Sequence, residues 1–328
     1  MTTYKEIRGT NIEAVASDPS NPVNGQVWYN TTTNVVKGNI SYGSGAWATG
    51  NSLNSARQGL AGAGTQPAAL AFGGNTSEVA LTELWNGTNW TEVNDLNTAR
   101  KFLAGAGTQT AALAFGGQVS ALNNETETWN GTNWTEVNNL NTARNNLAGA
   151  GTNTAALAFG GKNDPSGTVS AVTELWNGTN WTEVNDLNTA RQKLAGCGIS
   201  TAALGFGGYA PPNGPAALTE SWNGTNWTEV NDLNTARYYM GGCGTTTAAL
   251  AFGGQVFTPG GTKVAVTESW NGTNWTEVND LNTTRKSLAG AGTNTAALGF
   301  GGYLPSGAEA AATEEWNAGN VLVTFGTS

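Results

Sequence analysis

Six glutamates and six arginines recur at matching places along the chain: Glu83, Glu127, Glu174, Glu220, Glu268 and Glu314, with Arg57, Arg100, Arg144, Arg191, Arg237 and Arg285. Carboxylates and guanidiniums in such numbers could suggest a glycosidase or sialidase site. Catalytic groups are singular, however, and these are copied into every unit. A structural Glu–Arg pair, or arginines capping backbone carbonyls between units, is the stronger reading. Glu125 and Asp164 stand outside the copied set, in variable loops, with no partner readable from the sequence. The chain holds no histidine, which removes imidazole metal sites and Ser-His or Cys-His nucleophilic pairs. Its two cysteines, Cys197 and Cys243, stand where other copies carry Ala63, Ala106, Ala150 and Ala291. They read as small buried side chains rather than as a disulfide or a reactive thiol. Asn-Gly-Thr and Asn-Trp-Thr both fit a glycosylation acceptor, but so close together they are better explained by turn chemistry. Asn-Asp-Leu-Asn lacks the spaced acidic ligands of a Ca²⁺ loop. No catalytic residue, metal site or cofactor is expected.

The elements that hold these groups are organised around WNGTNWTEVNDLNTAR, first complete at Trp85 to Arg100. Asn86-Gly87 between two tryptophans is a hairpin signal, with both turn positions expected at positive φ. Val79 to Trp85 reads as one strand and Asn89 to Val93 as its return. Asn94 to Ala99 then leaves the sheet as a polar turn ending at Arg100. The passage recurs at Trp129/Trp134, Trp176/Trp181, Trp222/Trp227 and Trp270/Trp275. Each arginine precedes a Gly/Ala-rich stretch such as Leu103 to Thr108. A second stretch ends in Phe-Gly-Gly, with Phe72, Phe115, Phe159, Phe206, Phe252 and Phe300 marking six copies. Each unit therefore has four short strands: a small-residue strand, an apolar strand and the two hairpin strands. A repeat of this length means a propeller or an array.

Composition narrows the function classes. Charged residues are only 11% and glycines number 46, so the surface is built from Asn, Thr and Gly. Net charge is −9 with no basic run, which argues against a nucleic-acid partner. No apolar run approaches the ~20 residues of a membrane-spanning helix, and the first residues lack the apolar core of a secretory signal.

The order of arginine, small-residue strand, Phe-Gly-Gly strand and aromatic strands resembles the kelch repeat over about residues 45–328. The aromatic of the third strand is Trp here where kelch units commonly carry Tyr. The resemblance implies an all-β, six-bladed kelch-like β-propeller over residues 41–328, preceded by a short N-terminal arm over residues 1–40. In that fold small residues sit on the innermost strands, where blades crowd, and large ones lie further out. Asp18-Pro19-Ser20-Asn21-Pro22 is a turn-rich break in the arm, and Gln26 to Asn30 with Val35 to Gly38 reads as a small hairpin. Two segments compete to complete the sixth blade: Ala46-Trp47-Ala48 and Asn320 to Phe325. The N-terminal one is favoured, and the other would add to a blade edge or pair with a neighbouring subunit.

PVNGQVWYNTTTNVVKG in the arm resembles segments near the start of bacteriophage tail and fibre proteins. That resemblance implies a non-enzymatic virion structural protein of the tail, a fibre or the capsid exterior. Its arm would bind other virion proteins, and its propeller face would meet a host glycan, a host surface protein or a further copy of the chain. The alternative is a secreted or surface-bound lectin-like bacterial propeller, extracellular rather than on a virion. Copies differ at the two residues after each arginine and in the loop after Phe-Gly-Gly, and both sets are expected on one face. That face nominates Lys101, Phe102, Gln192, Lys193, Tyr209, Tyr238, Tyr239, Phe257 and Tyr303 as binding residues, because aromatics gather there as recognition surfaces favour.

Overall fold

Residues 12–19, 26–41, 45–74, 77–164, 167–318 and 320–325 are described by the computed structural model. They divide into two compact units, one of residues 47–316 and a smaller one of residues 1–46 with 317–328. Asn320–Phe325, late in the sequence, belongs with the smaller unit.

In the larger unit each copy folds as one four-stranded antiparallel sheet, blade-like and all-β. The first copy sets the pattern with Ala61–Thr65, Ala68–Phe72, Thr82–Trp85 and Trp90–Val93 in order. The third strand is shorter than the sequence suggests. The backbone at 79–81 is bonded elsewhere, since Leu96 N donates to Ala80 O and Arg100 N to Val79 O. The hairpin also differs from expectation. Trp85 faces Trp90, so the connection is four residues long, and of Asn86 and Gly87 only the glycine has positive φ. Asn86 Oδ1 accepts from Thr88 N and Asn89 N instead, a side-chain cap on the loop.

Neighbouring copies lock through three repeated contacts. The indole of each outermost strand donates to a threonine one copy back, as in Trp134 to Thr82 and Trp181 to Thr126, both 3.0 Å. Each Phe-Gly-Gly phenylalanine lies over an innermost-strand glycine of the next copy. A Cβ on Gly105 would stand 2.6 Å from the Phe72 ring, and one on Gly149 2.6 Å from that of Phe115. The second glycine of each Phe-Gly-Gly donates to the next arginine's carbonyl, as Gly74 does to Arg100 at 2.9 Å. Here glycine is required: Gly73 has φ +66° and a Cβ on it would meet Arg100 O at 2.7 Å.

The sixth copy joins Ala289–Gly292, Ala296–Phe300 and Thr313–Asn317 to Ala46–Gly50. The N-terminal candidate therefore takes the fourth place. Trp47 donates to Thr267 at 3.0 Å, and Trp90 of the first copy donates to Thr313 of the sixth at 2.9 Å. Asn320–Phe325 neither extends a blade edge nor waits for a second subunit. It pairs antiparallel with Val35–Ser41 in the smaller unit.

That smaller unit is a four-stranded sheet in which Glu13–Val15 runs parallel to Val27–Asn30, which pairs in turn with Val35–Ser41. The expected hairpin is present, with its turn at Thr31 to Asn34. Asp18 holds the sheet from the side, accepting from Lys37 Nζ at 2.6 Å, Asn30 Nδ2 at 2.7 Å and Trp28 Nε1 at 3.1 Å. Ser20 to Pro22 of the expected break, the first residues of the phage-like segment and Pro165 of one variable loop lie outside the described residues.

Candidate functional site

The copied charges are consumed by the fold. Arg144 Nη2 meets Glu174 Oε1 at 2.9 Å, with neither side chain exposed. Nη1 of the same guanidinium donates to Gly160 O at 3.0 Å. Glu174 Oε2 accepts from Asn141 N and Nδ2 at 2.7 and 2.9 Å. All six arginines are fully buried in the same way, with ion pairs of 2.7 to 3.2 Å. The glutamate pair and the carbonyl cap occur together, and within one copy rather than between copies. Desolvation lowers the pKa of each guanidinium and the paired glutamate pulls it back, leaving Arg237 and Arg285 at about 10 and charged at neutral pH. Cys197 and Cys243 are free and buried, and burial pushes the Cys197 thiol up to about 12.

The positions that vary converge. The first residue after the arginine bridges to the first after Phe-Gly-Gly: Lys101 to Gln118, Gln192 to Tyr209, Tyr238 to Gln255 and Lys286 to Tyr303. The second residue after the arginine turns inward with left-handed backbone. Gly59, Phe102, Asn146, Lys193, Tyr239 and Ser287 have φ between 54° and 62°. Each of these residues donates its N–H to the carbonyl of its counterpart one copy back, at 2.7 to 2.9 Å, and Gly59 donates to Ser287. These bonds return to their start. They surround a cavity of about 90 Å³, and Ala and Gly of the innermost strands, with the Leu or Met240 that precedes each, line a further space of about 130 Å³.

Phe102 and Tyr239, from the second and fifth copies, meet across this mouth with ring centroids 5.9 Å apart. Gly59 makes room for Phe102, since a Cβ there would stand 2.8 Å from its ring. Tyr239 packs on Tyr238 at 5.5 Å and Tyr238 on Tyr209 at 5.7 Å. Lys193 Nζ lies 4.8 Å from the Tyr239 centroid and 5.4 Å from those of Tyr209 and Tyr238. Lys286 Nζ donates to Gln255 Oε1 at 2.6 Å and lies 5.4 Å from Tyr239. Burial, then the like charges of Lys286 and Lys162, lower the pKa of Lys193. Burial likewise raises Tyr239 and, less completely, Tyr238.

Of the nominated residues, Phe102, Lys193, Tyr209, Tyr238 and Tyr239 form this one cluster. Gln192 is buried beneath it by its bridge to Tyr209. Tyr303 stands beside it, its ring 5.0 Å from Lys263 Nζ and 5.8 Å from Lys286 Nζ. Lys101 is drawn away into an ion pair with Glu78 at 2.9 Å. Phe257 is 78% exposed and lines a separate cleft of about 400 Å³ with Asn213, Pro215, Asn234 and Thr235. Lys286 and Lys263 belong to the site and were not nominated. Lys286 follows its arginine as Lys101 does and was legible by position, whereas Lys263 sits deep in a loop of no repeated pattern.

No protein-family model matches this chain, and no curated protein does. Among solved structures, that of YjhT superposes with a TM-score of 0.70, covering 84% of this chain and 99% of that one at 12% identity. At that identity the likeness concerns the fold alone: an all-β structure of repeated blade-like sheets.

Proposed function

We propose that this chain is a non-enzymatic structural component of a virus particle, on the tail, a fibre or the capsid exterior. In this reading it is a six-bladed kelch-like propeller with an N-terminal anchor, and its loop face binds a host surface or a neighbouring subunit. Three cycles of repeated contacts support the propeller, because indole-to-threonine, phenylalanine-to-glycine and left-handed backbone bonds each run through six copies and back to the first. The phage-like segment supports the virion: its described part forms two strands of the smaller sheet, apart from the repeat. One observation carries the recognition role. The recurring glutamate–arginine pairs are spent inside the fold, while Phe102, Lys193, Tyr209, Tyr238 and Tyr239, all from positions that differ between copies, gather at one mouth.

Mass spectrometry of purified particles tests the proposal. The protein is expected at fixed stoichiometric copy number, with antibody to the larger unit labelling intact particles. Its absence from particles overturns the reading. The Tyr209–Tyr238–Tyr239 cluster equally favours the extracellular lectin-like alternative, which predicts a secreted protein whose glycan binding is lost in Tyr238→Ala.

A further inference from the structure

Every lysine of the larger unit, Lys101, Lys162, Lys193, Lys263 and Lys286, lies in a variable loop, and every arginine there is buried against a glutamate. Within the larger unit of this acidic chain, net charge −9 overall, the accessible positive charge is thus confined to the loops. Within that set Lys193 stands against the most rings, where Lys263 meets one. Lys101 has Glu78 and Lys286 has Gln255, but among the described residues Lys193 Nζ meets only three tyrosine rings. An ammonium has three donors to place, and ring faces satisfy its charge without accepting in the directed way an oxygen does. Partial burial sharpens the need, because an oxyanion gains more from a desolvated ammonium than from a hydrated one.

We infer that the mouth beside Lys193 is a subsite for one anionic group of an acidic saccharide, a uronate carboxylate or a sulfate ester. The inference deepens the recognition reading and rests on it. A cavity of about 90 Å³ is well below the roughly 300–1,000 Å³ that encloses a drug-sized ligand, so it takes a charged group and not a whole sugar. Tyr238 and Tyr209 stand next to it. Their flat faces cover the apolar side of a sugar ring and their hydroxyls bond its hydroxyls. A peptide carboxylate fits less well, since a peptide needs backbone partners and the ring residues spend theirs on one another.

Calorimetric titration of the full chain tests this with oligogalacturonate, a sulfated galacto-oligosaccharide and a neutral galacto-oligosaccharide. At least one charged probe is expected to bind about tenfold or more tighter than the neutral one, the worth of one charge-assisted hydrogen bond. Which charged probe wins identifies the oxyanion. Lys193→Gln is expected to abolish that preference at unchanged melting temperature, and Lys193→Arg to retain most of it. Equal affinity for charged and neutral probes overturns the inference and leaves recognition standing. So does displacement by inorganic sulfate as effective as by the charged saccharide, which marks an adventitious ion only. Failure of all three saccharides overturns it too. Only if particles carrying Lys193→Gln with Tyr238→Ala still adsorb normally does the recognition reading itself fail.

Discussion

A guanidinium and a carboxylate buried together in each unit dominate the energetics of single residues. Their net worth against an apolar pair is small, but breaking one strands an uncompensated charge. Glu174→Gln is expected to destabilise by about 3–5 kcal/mol in chemical denaturation, because it leaves Arg144 without its anion and disturbs Asn141 as well. Exchanging both Arg144 and Glu174 for apolar residues of similar size should cost less than Glu174→Gln alone. The cysteines behave oppositely. Cys197→Ala and Cys243→Ala restore what other copies carry and should change stability by no more than about 1 kcal/mol, while both thiols resist alkylation until the chain unfolds. These roles were legible in the sequence because copying six times is itself evidence of structure. The mouth was legible in part: tyrosines stood out by type, but nothing local showed that Lys101 would find Glu78 while Lys193 would find only rings.

Between residues and the whole lies the exchange of strands. Trp47 does for the sixth copy what Trp181 does for the third, donating to a threonine one copy back and packing on the third-strand indole at 5.5 Å. Trp47→Ala is therefore expected to cost as much as Trp181→Ala, about 3–5 kcal/mol for each. A much smaller loss at Trp47 would mean that Ala46–Gly50 is dispensable. Leu53 to Arg57 copies the crossing that follows every outermost strand, and that motif marks the segment before it as the one that completes the sixth sheet. The destination of Asn320–Phe325 was not legible, because an apolar strand without repeat context carries no address. In the small sheet, hydrogen bonds from Lys37, Asn30 and Trp28 hold the Asp18 carboxyl down at about 2. A depressed acid contributes stability above its unfolded value and loses it as pH falls through the folded one. The small sheet should be insensitive to pH above about 5 and weaken between about 4 and 2, whereas Asp18→Asn should flatten that fall. Fluorescence of Trp28 during acid titration measures both.

In the proposed propeller, contacts that return from the sixth copy to the first leave no copy terminal. An open stack frays at its ends, and losses there are discounted. Glu83→Gln in the first copy, Glu174→Gln in the third and Glu314→Gln in the sixth should accordingly destabilise equally, within about 0.5 kcal/mol. A gradient from centre to ends would refute closure. Repetition made the sheets readable from sequence, and the aromatic–glycine pattern gave their order. The link of Trp47 to Thr267, 220 residues away in sequence, was not legible locally. The left-handed backbone at the mouth carries one more consequence. Five side chains there are displayed from a frame that bonds only through its own amides, so they can be exchanged without refolding the frame. β-branched residues tolerate such φ values poorly. A library randomised at positions 59, 102, 146, 193, 239 and 287 should yield folded clones rich in Gly, Asn, Lys, Ser and aromatics and nearly devoid of Val, Ile and Thr. Under the proposed recognition role, binding preference is then expected to shift by single codon changes drawn from that restricted alphabet.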